Sequence, residues 1–330
     1  VGVFMRVYRN EPEIHQAIQS VLKQTYKNIK YYILVNEKTK QVVKKYQEID
    51  SRIEIIDGKE KEGFRDYAKY IAEENEYVTT IDADDWYDKK YIEELLNYAK
   101  MYYLDIAACG NFFVDTKGNI IGIRQQAEIK WKRNETGSVL EYVYAFFRTI
   151  WGKIIKSDTI LKYDDDRIPK TEEYGGYGGD TLFMFNLLYY AEYIGIIDKI
   201  LYCYRVTENS GSSYLLAGRL DSDELLFEYV NNFLKQIGNL NERAICFLYN
   251  VYGYALMDTT KLLLKQPMEE ASRIEKLLYL YKKPVTKELI FREQAGKLIK
   301  SGEEAPEFVS MFYQLLFERE SKNMDCQIIN

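Results

Sequence analysis

Residues 77–88 read YVTTIDADDWYD, a β-branched and aromatic run that ends in three acids, Asp82, Asp84 and Asp85. The run predicts a strand over 77–81. Carboxylates this close repel and raise one another's pKa, so the stretch is either a solvated turn or the edge of a site that holds something positive. The residues upstream decide between them. Residues 1–5, 30–35 (KYYILV) and 53–56 (IEII) read as three earlier strands, and Ile14, Ala17, Ile18, Val21 and Leu22 follow helical spacing between the first two. Asn10 is placed as N-cap with Glu13 three residues on, and Pro12 falls in the first turn, where its missing N–H costs nothing. Strand, helix, strand at this spacing is a βαβ unit. It predicts a mainly parallel sheet with ligands bound beyond the carboxyl ends of the strands, and DADD lies at one of those ends.

Further along, DIAACGNFFVD, a turn at TKGN and IIGIR predict a hairpin from about residue 105. A helix over 138–148, a Gly- and acid-rich loop over 164–179, a helix from Asp180 and the apolar pair YIGII and KILYCYR follow. After the polar loop VTENSGSS the pattern is almost wholly helical, with Leu225, Leu226, Tyr229, Val230, Phe233, Leu234 and Ile237 on one face. The expected organisation is therefore α/β. A mixed, mainly parallel sheet flanked by helices occupies 1–214, and a C-terminal helical region occupies 215–330.

With 330 residues, 47% of them hydrophobic, the chain can bury one large core or a core plus an appended lobe. No stretch reaches the roughly 20 uninterrupted apolar residues of a membrane span. The start VGVFM is cut at Arg6, too short for a signal peptide. These features read as cytoplasmic, with peripheral membrane contact and oligomerisation left open. Cys109, Cys203, Cys246 and Cys326 have no metal-ligand or disulfide-framework spacing and read as packing residues. A net charge of −6 excludes a general nucleic-acid surface. The 31 tyrosines suit a sugar-handling surface and equally a biased composition. His15 is the only histidine, so a histidine-centred triad is excluded.

Three readings compete for the acids. An EF-hand-like calcium loop fails because Tyr87 stands where it needs glycine, Trp86 where it needs an oxygen ligand, and a strand where it needs a helix. An exposed turn tolerates acids, yet it would leave them where sheets of this kind bind ligands. The third reading fits the placement: Mg²⁺ or Mn²⁺ held by one or two carboxylates and a substrate diphosphate. GGYGGD (175–180) is not a dinucleotide fingerprint, since it lacks the preceding strand and the spacing.

The order of VGVFMRVYRNE, AIQSVLKQTYKNIKYYILVN, EYVTTIDADDWYDKKYIEELL, GGDTLFMFNLL and KILYCYRVTENSGSS resembles the family 2 glycosyltransferases of bacteria over about residues 1 to 215. The resemblance implies a GT-A fold with a DxD signature and transfer of a sugar from a nucleoside diphosphate, usually UDP, to a hydroxyl with inversion. It implies that Asp84 ligands the metal and that Asp82 faces the ribose or supports the metal shell. Asp85 is either a partner to them or the N-cap of the helix KKYIEELL. Asp180 stands where relatives carry their general base, although Gly179 replaces the preceding glutamate.

The base-binding end departs from the family: VNEKTK leaves Asn36 or Glu37 to contact the uracil ring. Tyr8 matches a tyrosine beside the base, Arg6 replaces a proline near the phosphates, and Arg65 is the candidate nucleotide-contacting arginine. In WGK, Trp151 either stacks on a sugar face or belongs to the core, and Lys153 reaches acid oxygens or the chain's own carboxylates. Arg205, Ser210, Ser212 and Ser213 belong to the segment that closes over the diphosphate. The implied partners are a nucleotide-sugar donor and a glycan, lipid-linked or protein acceptor. The rival expectation is a non-catalytic nucleotide-sugar or glycan-binding protein of the same fold.

Overall fold

The computed structural model describes residues 1–9, 12–59, 62–169, 177–207 and 218–294. Its sheet grows from β1 (Gly2–Val7), β2 (Lys30–Val35), β3 (Ile53–Asp57) and β4 (Tyr77–Asp82), linked by α1 (Ile14–Leu22), α2 (Lys40–Gln47) and α3 (Phe64–Glu74). These strands lie parallel in the order β3-β2-β1-β4. They are apolar in runs because both faces are covered. On one face Val3, Met5 and Val7 join Ile14, Ala17, Ile18 and Val21 in one buried cluster, and on the other Phe4 packs 5.4 Å from Phe64. α1 starts later than its expected cap: Glu13 precedes it, Pro12 accepts from the His15 N–H in a turn ahead of it, and Asn10 lies outside the described residues.

Beyond β4 the sheet becomes mixed. It adds β5 (Trp86–Tyr87), β6 (Ile106–Val114), β7 (Ile120–Arg124), β8 (Ile129–Lys132), β9 (Lys153–Lys156) and β10 (Tyr193–Arg205). The order continues β4-β9-β6-β10-β5, with β9 antiparallel to both neighbours and β6 parallel to β10. The first half is thus parallel throughout, and the strands threaded in later make the rest mixed. The hairpin β6–β7 closes as expected: the Asp115 carboxylate accepts from the Lys117 and Asn119 N–H groups, and Gly118 takes φ +87°. YIGII and KILYCYR are one 13-residue strand whose register shifts between Ile196 and Tyr202.

The remaining helices here are α4 (Tyr91–Met101), α5 (Thr136–Val143), α6 (Ser157–Lys162) and α7 (Gly179–Tyr190). α5 tightens into a 3₁₀ turn at Tyr144–Phe146, so the helix expected over 138–148 is shorter and earlier. α7 buries every residue from Thr181 to Leu188, which explains why its sequence shows no polar face. Trp151 is buried, stacked 4.6 Å from Tyr202 and 5.1 Å from Tyr204. It therefore belongs to the core. Trp151→Ala should cost about 3–5 kcal/mol in urea unfolding; an unchanged midpoint with a raised KM for substrate would return it to the sugar-stacking role.

The chain divides into two compact units, Val1–Ile168 with Asp180–Glu208, and Pro169–Gly179 with Asn209–Asn330. In the second unit α8 (Arg219–Gln236), α9 (Glu242–Lys265), α10 (Glu270–Lys282) and α11 (Pro284–Gln294) pack on one another. The Asn241 side chain caps α9 by accepting from the Ala244 N–H at 2.9 Å. The buried face of α8 is not purely apolar. It starts with Arg219, Ser222 and Asp223 and continues through Phe227, Val230, Phe233 and Leu234, while Leu225, Leu226 and Tyr229 are only partly covered. Arg219 Nε and the Asp223 carboxylate meet on the Thr259 hydroxyl, at 3.1 and 2.7 Å, which satisfies those buried polar groups. No helix among the described residues is long and apolar enough to cross a membrane.

Candidate active site

β1 and β4 end side by side, with Arg6 opposite Asp82 in the ladder. The chain then turns through 83–85 and immediately re-enters the sheet as β5, so the acidic turn is held at both ends by strands. Asp85 is fully buried. It accepts the Arg205 N–H and the Tyr202 hydroxyl, each at 2.7 Å, and the Tyr202 oxygen in turn accepts the Asp82 N–H at 3.3 Å. Arg205 closes the arrangement: Nε donates to the Asp84 carbonyl at 3.0 Å, Nη2 to Gln16 Oε1 at 2.8 Å, and its guanidinium lies 4.9 Å from the Trp86 ring. Asp82 and Asp84 are thereby tied to the end of β10 by their main chain, and Asp85 by its carboxylate.

This corrects two expectations. Asp85 does not cap a helix, because α4 begins only at Tyr91 and Asp88 serves its start by accepting the Lys90 and Tyr91 N–H groups. Arg205 is the buried last residue of β10, with its donors engaged on the acidic turn and Gln16 instead of extending over a diphosphate.

Asp82 and Asp180 are open to solvent by surface area, yet ringed by protein. Lost hydration, then the charges of Asp180 and Asp84, push the Asp82 carboxyl up to about 7, against a downward pull from Arg6. Burial raises Asp84 as well, opposed by Arg205, and holds Asp85 well above the usual carboxylate range with Asp82 and Asp84 adding to the effect. The site therefore concentrates negative charge that the chain itself leaves largely uncompensated. Asp82 and Asp84 are hard oxygen donors, and among the described residues no group of three His, Cys, Asp or Glu forms a closed metal cage. Such a donor set fits Mg²⁺ or Mn²⁺ with a shell completed by phosphate oxygens and water.

Asp180 opens α7 and accepts the Ile150 N–H; burial lifts it to about 6, while Lys153, that hydrogen bond and Arg6 pull downward. Lys153 is buried, and its Nζ donates to the Trp151 carbonyl at 2.8 Å. Burial, then Arg124, lower it to about 7, and the Asp180 charge works against them. Its ammonium thus acts on a carboxylate through space and makes no direct ion pair among the described residues. Gly152, at φ +73°, sharpens the turn that sets Trp151 and Lys153 apart.

At the other end, the Asn36 amide is engaged within the fold. It donates to the Tyr8 carbonyl at 3.0 Å and accepts from the Lys38 and Thr39 N–H groups at 3.1 Å each, whereas Glu37 is exposed. Tyr8 donates its hydroxyl to the Lys59 carbonyl and carries the Arg6 guanidinium 4.6 Å above its ring. Arg65, on the first turn of α3, is half-buried, and its carbonyl accepts from the Tyr163 hydroxyl. Ser210, Ser212 and Ser213 lie outside the described residues. Sequence reasoning missed Tyr202 and Gln16. Tyr202 and Gln16 reach the acids only through the pairing of β5 with β10 and the packing of α1, which no local pattern announces.

Residues 2–161 match the family model described as Glycosyl transferase family 2. Glycosyltransferase GlyA of Streptococcus pneumoniae serotype 4 is 27% identical over 231 residues, or 64% of this chain; the match spans 31% of GlyA. TarS 1–349 of S. aureus in complex with UDP-GlcNAc superposes with a TM-score of 0.57 at 15% identity, covering 92% of this chain and 94% of that one. Mannosyltransferase PcManGT of Pyrobaculum calidifontis, in complex with GDP-Man and Mn²⁺, gives 0.51 at 11% identity, covering 90% and 84%. At these identities the likeness to solved structures is one of fold, the GT-A arrangement of a mixed sheet with flanking helices.

Proposed function

We propose, from the match of residues 2–161 to the Glycosyl transferase family 2 model, that the chain belongs to that family and moves a sugar from a nucleoside-diphosphate donor, UDP-linked, to a hydroxyl of a glycan, lipid-linked or protein acceptor with inversion. Asp84 and Asp82 would hold Mn²⁺ or Mg²⁺ against the donor diphosphate. When bound, the cation offsets charge growing on the departing diphosphate. Asp180 takes the proton of the acceptor hydroxyl while that oxygen attacks the anomeric carbon from the face opposite the leaving group. The buried tie of Asp85 to Tyr202 and Arg205 fixes the main chain of the DxD turn, so its carboxylates are preorganised before donor arrives.

One observation carries this reading: at the carboxyl end of β4 the Asp82 carboxyl is pushed up by the charges of Asp180, from a distant part of the sequence, and of Asp84 beside it. A fold has no structural use for such a gathering. Base recognition falls to Glu37 and Tyr8, since the Asn36 amide is engaged elsewhere. The UDP-GlcNAc and GDP-Man complexes of the fold neighbours make nucleotide choice the property to measure. Calorimetric titration with UDP, GDP and a panel of their sugars, each with Mn²⁺ and then EDTA, should show one UDP-sugar binding only with metal. Binding equally tight in EDTA would remove the metal assignment, and preference for GDP would move the donor class.

A further inference from the structure

We infer that Arg6 is a donor-binding residue: its guanidinium stands between Asp82 and Asp180 as a second cation for the donor diphosphate, alongside the proposed metal. The inference deepens the transferase reading and rests on it. The placement follows from the pleat. Arg6 is opposite Asp82 in the parallel ladder, so both side chains leave the sheet on the same face. Phe4, two residues back, shares that face and packs 5.4 Å from Phe64 on α3, and Phe64 in turn meets Phe183 of α7 at 5.7 Å. Asp180 lies three residues before Phe183, on the same side of α7. Gly63 precedes Phe64 at the start of α3, and Arg6 Nη1 comes 3.7 Å from where a Cβ on Gly63 would stand. The guanidinium thus sits at the open end of this aromatic row, with one carboxylate beside it in the sheet and the other one helical turn from Phe183.

The guanidinium is seated on an aromatic ring. It lies 4.6 Å from the centroid of Tyr8, and Tyr8 is itself anchored through its hydroxyl on the Lys59 carbonyl. The side chain of Arg6 is exposed, and its nitrogens make no hydrogen bond or ion pair among the described residues. Its charge reaches both acids, drawing the carboxyls of Asp82 and Asp180 downward. Arg205 and Lys153 are engaged by contrast, the first on the Asp84 carbonyl and Gln16, the second on the Trp151 carbonyl. A divalent ion held by Asp82 and Asp84 has its charge matched by theirs, so a diphosphate arriving there brings negative charge that the ion alone does not offset. Arginine's planar fork takes two phosphate oxygens at once, and a guanidinium already laid on a ring loses little freedom in doing so.

The test uses the full chain, wild type and with Arg6→Gln, Arg6→Met or Arg6→Lys. UDP is titrated by calorimetry and uridine by ligand-observed NMR, each at saturating Mn²⁺. Arg6→Gln should weaken UDP about tenfold or more, the scale for losing a charge-assisted hydrogen bond. Uridine should stay within about twofold, because Tyr8 keeps its own anchor on Lys59. Arg6→Lys restores the charge without the fork and should recover part of the loss. Unchanged UDP affinity in Arg6→Gln overturns the inference. An equal loss for UDP and uridine overturns it too, since Arg6 would then be a support for Tyr8 and nothing more. Arg6→Met, which keeps contact with the Tyr8 ring, decides the matter if Arg6→Gln lowers the urea midpoint. Where wild type prefers GDP, GDP and guanosine take the place of UDP and uridine. Wild type that binds neither nucleotide overturns the transferase reading itself, and the inference with it.

Discussion

Asp180→Asn should lower the rate of sugar transfer at saturating donor by about 10²–10⁴-fold, the usual contribution of a general base, and leave nucleotide affinity unchanged. Asparagine keeps the shape and can still accept the Ile150 N–H through its carbonyl oxygen, so the start of α7 stays in place. What it loses is the ability to take a proton. The same carboxylate sets the pH profile. Burial raises it to about 6, and only the deprotonated form can act as base, so kcat should fall as pH drops through about 6 and level off above it. The acid limb should be absent from whatever residual rate Asp180→Asn retains. A variant that transfers sugar at the wild-type rate, with the wild-type limb, would reject Asp180 as the base.

The fold was legible where burial is two-sided and local. β1 to β4 are continuous apolar runs separated by amphipathic helices, and their positions follow from period and length alone. β5 escaped notice because two residues, Trp86 and Tyr87, have no period, and β9 because KIIK puts a lysine at a buried position. β10 looked like two strands because Asp198 and Lys199 interrupt its apolar run; the sheet carries them through a register shift. Asp82 and Asp84 could be marked from the sequence because carboxylates at a strand's carboxyl end have few structural uses. The role of Asp85 could not, since its partners Tyr202 and Arg205 lie 117 and 120 residues away. Asn36 misled for a similar reason: its amide suits a pyrimidine edge in isolation, and only the packed turn shows its oxygen already accepting the Lys38 and Thr39 N–H groups.

Asp84→Asn should abolish the metal-dependent part of donor binding and reduce transfer by about 10²–10³-fold, the scale for removing one group that stabilises charge in a transition state. The protein should be no less stable. Its main chain is held by Arg205 through the carbonyl, which the substitution leaves intact, and the side chain raises the proton affinity of Asp82 and Asp85. Removing that charge relieves repulsion in the unliganded state, so the denaturation midpoint should hold or rise while activity falls, as at sites where function is kept at the expense of stability. Asp85 gives the contrasting case, because its carboxylate accepts two hydrogen bonds in a fully buried setting. Turnover should be compared in Mn²⁺ and EDTA, with urea unfolding of both proteins in metal-free buffer. If Asp84→Asn lost stability and activity together while metal dependence survived, the carboxylate would be serving the fold as Asp85 does, and the cation would have to be assigned to Asp82 without it.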